Sequence, residues 1–146
     1  MSIFEKLRSG VLTVSPEETQ DVGVKLVKDL PDNCVVALSG DLGAGKTTLT
    51  KGIGAGLGID PDEVISPTFQ IYSIYEGERQ LVHIDAYRLE GVEGLEALMI
   101  EEFLKEPWTV VIEWPERGMC DWMNENLVEI TLERISEGEI SISLKS

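Results

Sequence analysis

At 146 residues the chain suits one domain with one core, and its 42% apolar and 27% charged residues resemble ordinary globular proteins, not disordered chains. Twelve Lys plus Arg against 27 Asp plus Glu give a net charge of −15, which disfavours strong direct nucleic-acid binding and suits a solvated acidic surface or an acidic face for a basic protein partner. Cys34 and Cys120 lack the paired spacing of a zinc site or redox dithiol, and no window has the character of a signal peptide or membrane span; reduced thiols, no membrane association and a cytoplasmic location are expected.

Ser15-Pro16-Glu17-Glu18 supplies a hydroxyl N-cap, a proline for the first helical position and a carboxylate able to reach back to the cap, so a helix starts here. Val22, Leu26 and Leu30, with Val27 beside them, form its apolar stripe, which ends at Leu30-Pro31. Cys34 to Leu38 is a short apolar run expected of a strand buried on both faces. A glycine loop follows, and from Lys46 onward Leu49, Ile53 and Leu57 mark a second helix that Gly58 can stop. Phe69 to Tyr75 and Gln80 to Asp85 read as a hairpin about Glu76-Gly77-Glu78-Arg79. Leu95, Leu98, Met99 and Phe103 predict a crossover helix, and Trp108 to Ile112 the next buried strand, ending before Glu113. Leu127 to Leu132 and Glu139 to Leu144 alternate about Glu137-Gly138 and predict a closing hairpin with one wet face.

The strongest signal is Gly40-Asp41-Leu42-Gly43-Ala44-Gly45-Lys46-Thr47, two glycines five apart followed by lysine and a hydroxyl residue. Chance matching over this length is expected about 0.005 times, and the position between a buried strand and a helix is the one the chemistry needs. Glycines let backbone N–H groups turn inward as an anion-binding nest at the positive end of the helix. Lys46 reaches the β- and γ-phosphates, the Thr47 hydroxyl can ligate the bridging magnesium ion, and Thr48 is placed for the α-phosphate. A merely tight turn would explain the glycines but not the Lys-Thr pair.

Phosphoryl chemistry also needs an acid to hold metal or orient water, at the carboxyl end of a strand. Asp85 follows Leu81-Val82-His83-Ile84, and Glu113 follows Val110-Val111-Ile112. Either alone could be a solvated strand-end charge; two at corresponding places favour a site. His83, the only histidine, lies inside a strand and reads as a core or supporting group without assigned chemistry. The three tryptophans read as packing residues, Trp114 being placed where it could line the site. The whole predicts one α/β domain over 1–146, a P-loop NTPase-like, three-layer arrangement with a mixed, mainly parallel central sheet flanked by helices.

In order and spacing, Gly40 to Thr48, Ser66-Pro67-Thr68-Phe69, His83-Ile84-Asp85-Ala86-Tyr87-Arg88 and Glu113-Trp114-Pro115 resemble the TsaE family, small bacterial ATPases required for threonylcarbamoyladenosine modification of tRNA. The resemblance runs over most of the chain. It implies that Asp41, Leu42, Gly43, Ala44, Gly45, Lys46, Thr47 and Thr48 bind ATP, and that Thr47 and Glu113 hold Mg2+ with Asp85 as a second acid. It further implies that the Ser-Pro-Thr-Phe segment is a switch sensing the γ-phosphate, with Thr68 contacting metal or water. Thr19 then contacts the nucleotide base, and the turn around Arg134 closes the other side. A family member does not itself transfer the threonylcarbamoyl group but acts on the TsaB and TsaD proteins, ATP hydrolysis resetting that complex between cycles.

Three other functions use the same loop. A small-molecule kinase is disfavoured by the scarcity of cations after the loop to screen a phosphate-bearing acceptor. A GTPase is disfavoured because no Asn-Lys-x-Asp segment follows. A regulatory module that binds ATP with little turnover stays open.

Overall fold

In the computed structural model, which describes residues 2–67, 71–89 and 91–145, the chain runs α1 (Ile3–Ser9), β1 (Val11–Thr13), α2 (Pro16–Asp29), β2 (Cys34–Ser39), α3 (Lys46–Gly56), β3 (Tyr72–Glu76), β4 (Gln80–Asp85), α4 (Val92–Glu96), β5 (Trp108–Glu113), β6 (Leu127–Ser136) and β7 (Glu139–Leu144). Short 3-10 turns lie at Pro61–Glu63, Ile100–Phe103, Pro115–Arg117 and Asp121–Asn124.

All seven strands join one sheet in the order β1-β7-β6-β2-β5-β4-β3. The central strands β6, β2, β5 and β4 are parallel, and antiparallel pairings add β3 at one edge and β7 with β1 at the other. Successive side chains alternate between faces, so the unbroken apolar runs of β2 and β5 feed two cores. Val36, Leu38 and Val111 meet Leu26, Leu49 and Ile53 of α2 and α3. Val35, Ala37, Val110 and Ile112 meet Leu95, Ile100 and Met123 on the opposite side. The three-layer α/β expectation holds, with a parallel centre and antiparallel edges.

The first face is built from well-capped helices. Ser15 Oγ accepts the Glu18 N–H at 3.2 Å, and Glu18 Oε1 accepts the Val14 N–H at 3.0 Å, so the expected reciprocal cap closes one residue earlier than the capping residue itself. Leu26, Leu49 and Ile53 are fully buried, each worth about 1.5–3 kcal/mol relative to exposure. Helices α2 and α3 approach so closely that a Cβ on Gly52 would lie 2.1 Å from the Gln20 carbonyl oxygen.

Two expectations need correction. The single helix over Leu95 to Phe103 is two pieces: α4 ends at Glu96, Met99 takes a left-handed φ of 55°, and only a 3-10 turn follows. Glu93 and Glu96 are like charges one turn apart, and Glu101 and Glu102 put negative charge where a continuous helix would end. The last hairpin begins where expected, but β6 runs on to Ser136. The opening α1 and β1 are elements too short to leave a periodic pattern in the sequence. Phe69, the expected start of the first hairpin strand, lies outside the described residues, and β3 begins at Tyr72.

Candidate phosphate and metal site

Strand β2 delivers the chain to Gly40, the loop turns back, and α3 begins at Lys46. Gly45, the residue before α3, has φ 95°, a left-handed conformation that L side chains rarely adopt. At Gly40 the reason is space: a Cβ there would stand 2.5 Å from the Leu132 carbonyl oxygen, because the long β6 runs directly past the loop. The first-turn N–H groups of the 11-residue α3 are thus presented beneath the loop. A cleft of about 280 Å³ opens there, lined by residues 42–48 together with Ser66, Asp85, Glu113 and Trp114.

Lys46 is only 5% exposed. Its Nζ donates to the Asp41 carbonyl at 3.2 Å and to the Gly40 carbonyl, and lies 3.9 Å from the centre of the Trp114 ring. Burial pushes its ammonium pKa below the ordinary lysine value, against the opposing pull first of Glu113 and then of Glu116, Asp85 and Asp41. A dianionic phosphate beside Nζ would favour the charged form that burial disfavours.

The acids are aligned by sheet register. Glu113 pairs with Leu38 of β2 on one side and with Asp85 of β4 on the other. Thr47 Oγ1 donates to Glu113 Oε2 at 3.2 Å, and His83 Nε2 lies 2.5 Å from the same oxygen. Ser66 Oγ donates to Asp85 Oδ2 at 3.3 Å while the Tyr87 N–H donates to Oδ1 at 3.0 Å. Trp114 holds a left-handed φ of 59° and leans its ring on that of Tyr87, over which the Arg117 guanidinium also lies; such backbone strain gathers at functional sites.

A hydroxyl and a carboxylate 3.2 Å apart, with a second carboxylate in register, form an all-oxygen donor set suited to a hard cation. Among the described residues no three His, Cys, Asp or Glu side chains form a metal cluster. The oxygen pair could hold magnesium, which takes one or two protein oxygens and completes its shell with water and phosphate.

The structure therefore gathers Leu42, Gly43, Ala44, Gly45, Lys46, Thr47, Thr48, Asp85 and Glu113 at one cleft, with Asp41 touching it through its carbonyl. Thr19 is fully buried in α2, its hydroxyl 2.7 Å from that of Thr13, and does not line the cleft. Arg134 is exposed on the outer part of β6, two residues beyond Leu132, and does not line it either. Thr68 lies outside the described residues. Ser66 is a supporting group that sequence reading does not single out beside Thr68, and His83, expected as a core or supporting group, proves to contact Glu113, a link visible only once β4 and β5 pair in register. Two-residue alternation on adjacent strands would have been the signal.

Comparison with known proteins bears directly on this arrangement. The family model described as "Threonylcarbamoyl adenosine biosynthesis protein TsaE" matches residues 13–141. The chain belongs to the TsaE family. The tRNA threonylcarbamoyladenosine biosynthesis protein TsaE of Treponema pallidum is 35% identical over 130 residues, covering 89% of this chain and 95% of that one. Its Bacillus subtilis counterpart is 36% identical over 132 residues, 90% of this chain and 81% of the relative. The crystal structure of Bacillus subtilis YdiB superposes with a TM-score of 0.68 at 31% identity, covering 92% of this chain and 82% of that one. Membership places the chain in tRNA threonylcarbamoyladenosine biosynthesis. Among the described residues no helix is long and apolar enough to cross a membrane.

Proposed function

We propose that this TsaE-family chain is a Mg2+-dependent ATPase of the cytoplasm that serves threonylcarbamoyladenosine formation on tRNA through the TsaB and TsaD proteins. The observation that carries the reading is the convergence of a glycine cradle, a buried Lys46 and the Thr47–Glu113 pair on one cleft. Backbone N–H groups of the loop and α3 receive phosphate oxygens, and Lys46 neutralises charge between the terminal phosphates. Thr47 and Glu113, with Asp85 beside them, would hold the metal, which when bound screens phosphate charge and favours departure of the terminal group. Ser66 and the Tyr87 N–H keep the Asp85 carboxylate turned toward the cleft, and Trp114 shields Lys46 from solvent.

Of the described residues that line the cleft, Lys46 alone carries positive charge, which suits water as acceptor better than a phosphorylated metabolite. Family membership and the net charge of −15 support a protein partner over direct contact with tRNA.

The test is ATP hydrolysis by the purified protein with magnesium, alone and with TsaB and TsaD added. Stimulation by the partners is expected. Lys46→Ala should weaken ATP binding by removing a charge-assisted contact, whereas Glu113→Ala should keep binding and lose metal-dependent turnover. Equal turnover in wild type and Glu113→Ala would overturn the metal assignment.

A further inference from the structure

His83 is 0% exposed and sits on β4 between Val82 and Ile84, two residues before Asp85. Its Nε2 is 2.5 Å from Glu113 Oε2, the oxygen that also accepts from Thr47 at 3.2 Å. A carboxylate oxygen accepts, so Nε2 donates. With both contacts on Oε2, Oε1 is the oxygen left to serve the cleft that Glu113 lines. The ring's other nitrogen, Nδ1, is buried without a hydrogen-bond partner among the described residues. An unpaired buried nitrogen is unfavourable, and neighbours such as Val82, Ile84 and Val111 show that the strand packs well with aliphatic side chains. A histidine kept there at that disadvantage is explained by what Nε2 does and not by packing.

We propose that His83 is a positioning residue: its Nε2–H fixes the rotamer of Glu113 so that Oε1 and the Thr47 hydroxyl present a ready pair of oxygens to the metal of the nucleotide complex. The inference rests on the ATPase reading above and names how its metal ligand is held. Register makes the device possible. Val111 is the residue opposite His83, and Glu113 lies two positions further along the same face, so the imidazole reaches diagonally across the parallel pair. Groups that orient a ligating side chain in this way typically change metal affinity or activity by about 10–100-fold when removed.

The experiment uses the full-length protein and three variants. His83→Leu removes the donor, His83→Asn keeps an amide too short to reach Glu113, and His83→Gln restores a nitrogen near the position of Nε2. Mn2+, followed by its electron paramagnetic resonance signal, is titrated into each protein saturated with a non-hydrolysable ATP analogue, and analogue binding is also measured in EDTA. Expected are about 10–100-fold weaker Mn2+ binding in His83→Leu and His83→Asn, recovery to about threefold of wild type in His83→Gln, and metal-free analogue binding unchanged throughout. If His83→Leu does not fold, His83→Asn against His83→Gln decides. Mn2+ affinity equal to wild type in every folded variant overturns the positioning role while leaving the ATPase reading intact. Wild-type protein that takes up neither analogue nor Mn2+ overturns both. Equal losses of analogue binding with and without metal would show a general structural role and overturn the proposal.

Discussion

The two faces of the sheet are covered in different ways. One carries α2 and α3, 14 and 11 residues long, packed backbone against backbone. The other carries the five-residue α4 and a succession of 3-10 turns between Ile100 and Asn124. The glycine loop leads into the first face through α3, and Glu113 and His83 lie beside Leu38 and Val111, which belong to that face's core. The candidate site rests against the layer of long helices, and the layer of short turns covers the opposite core. Preorganised donors need a support that cannot shift by an ångström, and long helices in close contact provide it.

That contrast is broken most directly at Gly52. With only 2.1 Å between a new Cβ and the Gln20 carbonyl, Gly52→Ala must push α2 from α3 and should destabilise by about 3 kcal/mol, read as a lower denaturation midpoint. Because α3 carries the cradle, nucleotide affinity should fall with it. A variant of unchanged midpoint would mean that the helices can separate freely. On the opposite face Met123 is fully buried among Leu95 and Ile100. Met123→Ala should remove about 2 kcal/mol, the lower end of such truncations, since short turns can collapse into the space. Nucleotide binding by the folded variant should stay at wild-type level, and its loss would show that the second layer also supports the site.

The same contrast explains what the sequence made legible. Ser15, Pro16 and Glu18 announce α2, four-residue spacing announces α3, and uninterrupted apolar runs announce β2 and β5, because each is a local consequence of capping, periodicity or burial. The cradle was legible for the same reason, eight consecutive residues carrying their own geometry. The break at Met99 was not, since Leu95, Leu98, Met99 and Phe103 keep helical spacing while the surrounding glutamates oppose a continuous helix. Nor was the His83–Glu113 contact, formed by residues 30 apart and created by strand pairing alone.

Smaller effects sharpen the comparison. Cys34 is fully buried on the helical face, and burial is the chief cause that raises its thiol to about 11. The folded-state pKa exceeds the unfolded value of 9.0, so the folded protein holds the proton that the unfolded chain gives up. Stability is then fully present below pH 9 and declines as pH rises toward 11, by roughly 1 kcal/mol at pH 10 from this group. Urea unfolding of wild type and Cys34→Ser at pH 8 and pH 10 checks this: the wild type should lose more between the two. An identical loss would assign the alkaline weakening elsewhere.

The smallest expected change is Gly94→Ala in α4. Helix propensity favours alanine over glycine by up to about 1 kcal/mol, and the nearest atom to the new Cβ is Leu89 Cδ2 at 3.2 Å. That atom ends a flexible side chain, so a few tenths of an ångström can be yielded, whereas the Gln20 carbonyl facing Gly52 belongs to a helix backbone and cannot. The midpoint should therefore move by less than about 1 kcal/mol. A loss comparable to that of Gly52→Ala would show that the short-turn layer is packed as rigidly as the helical one, and the division of labour between the two faces would fall.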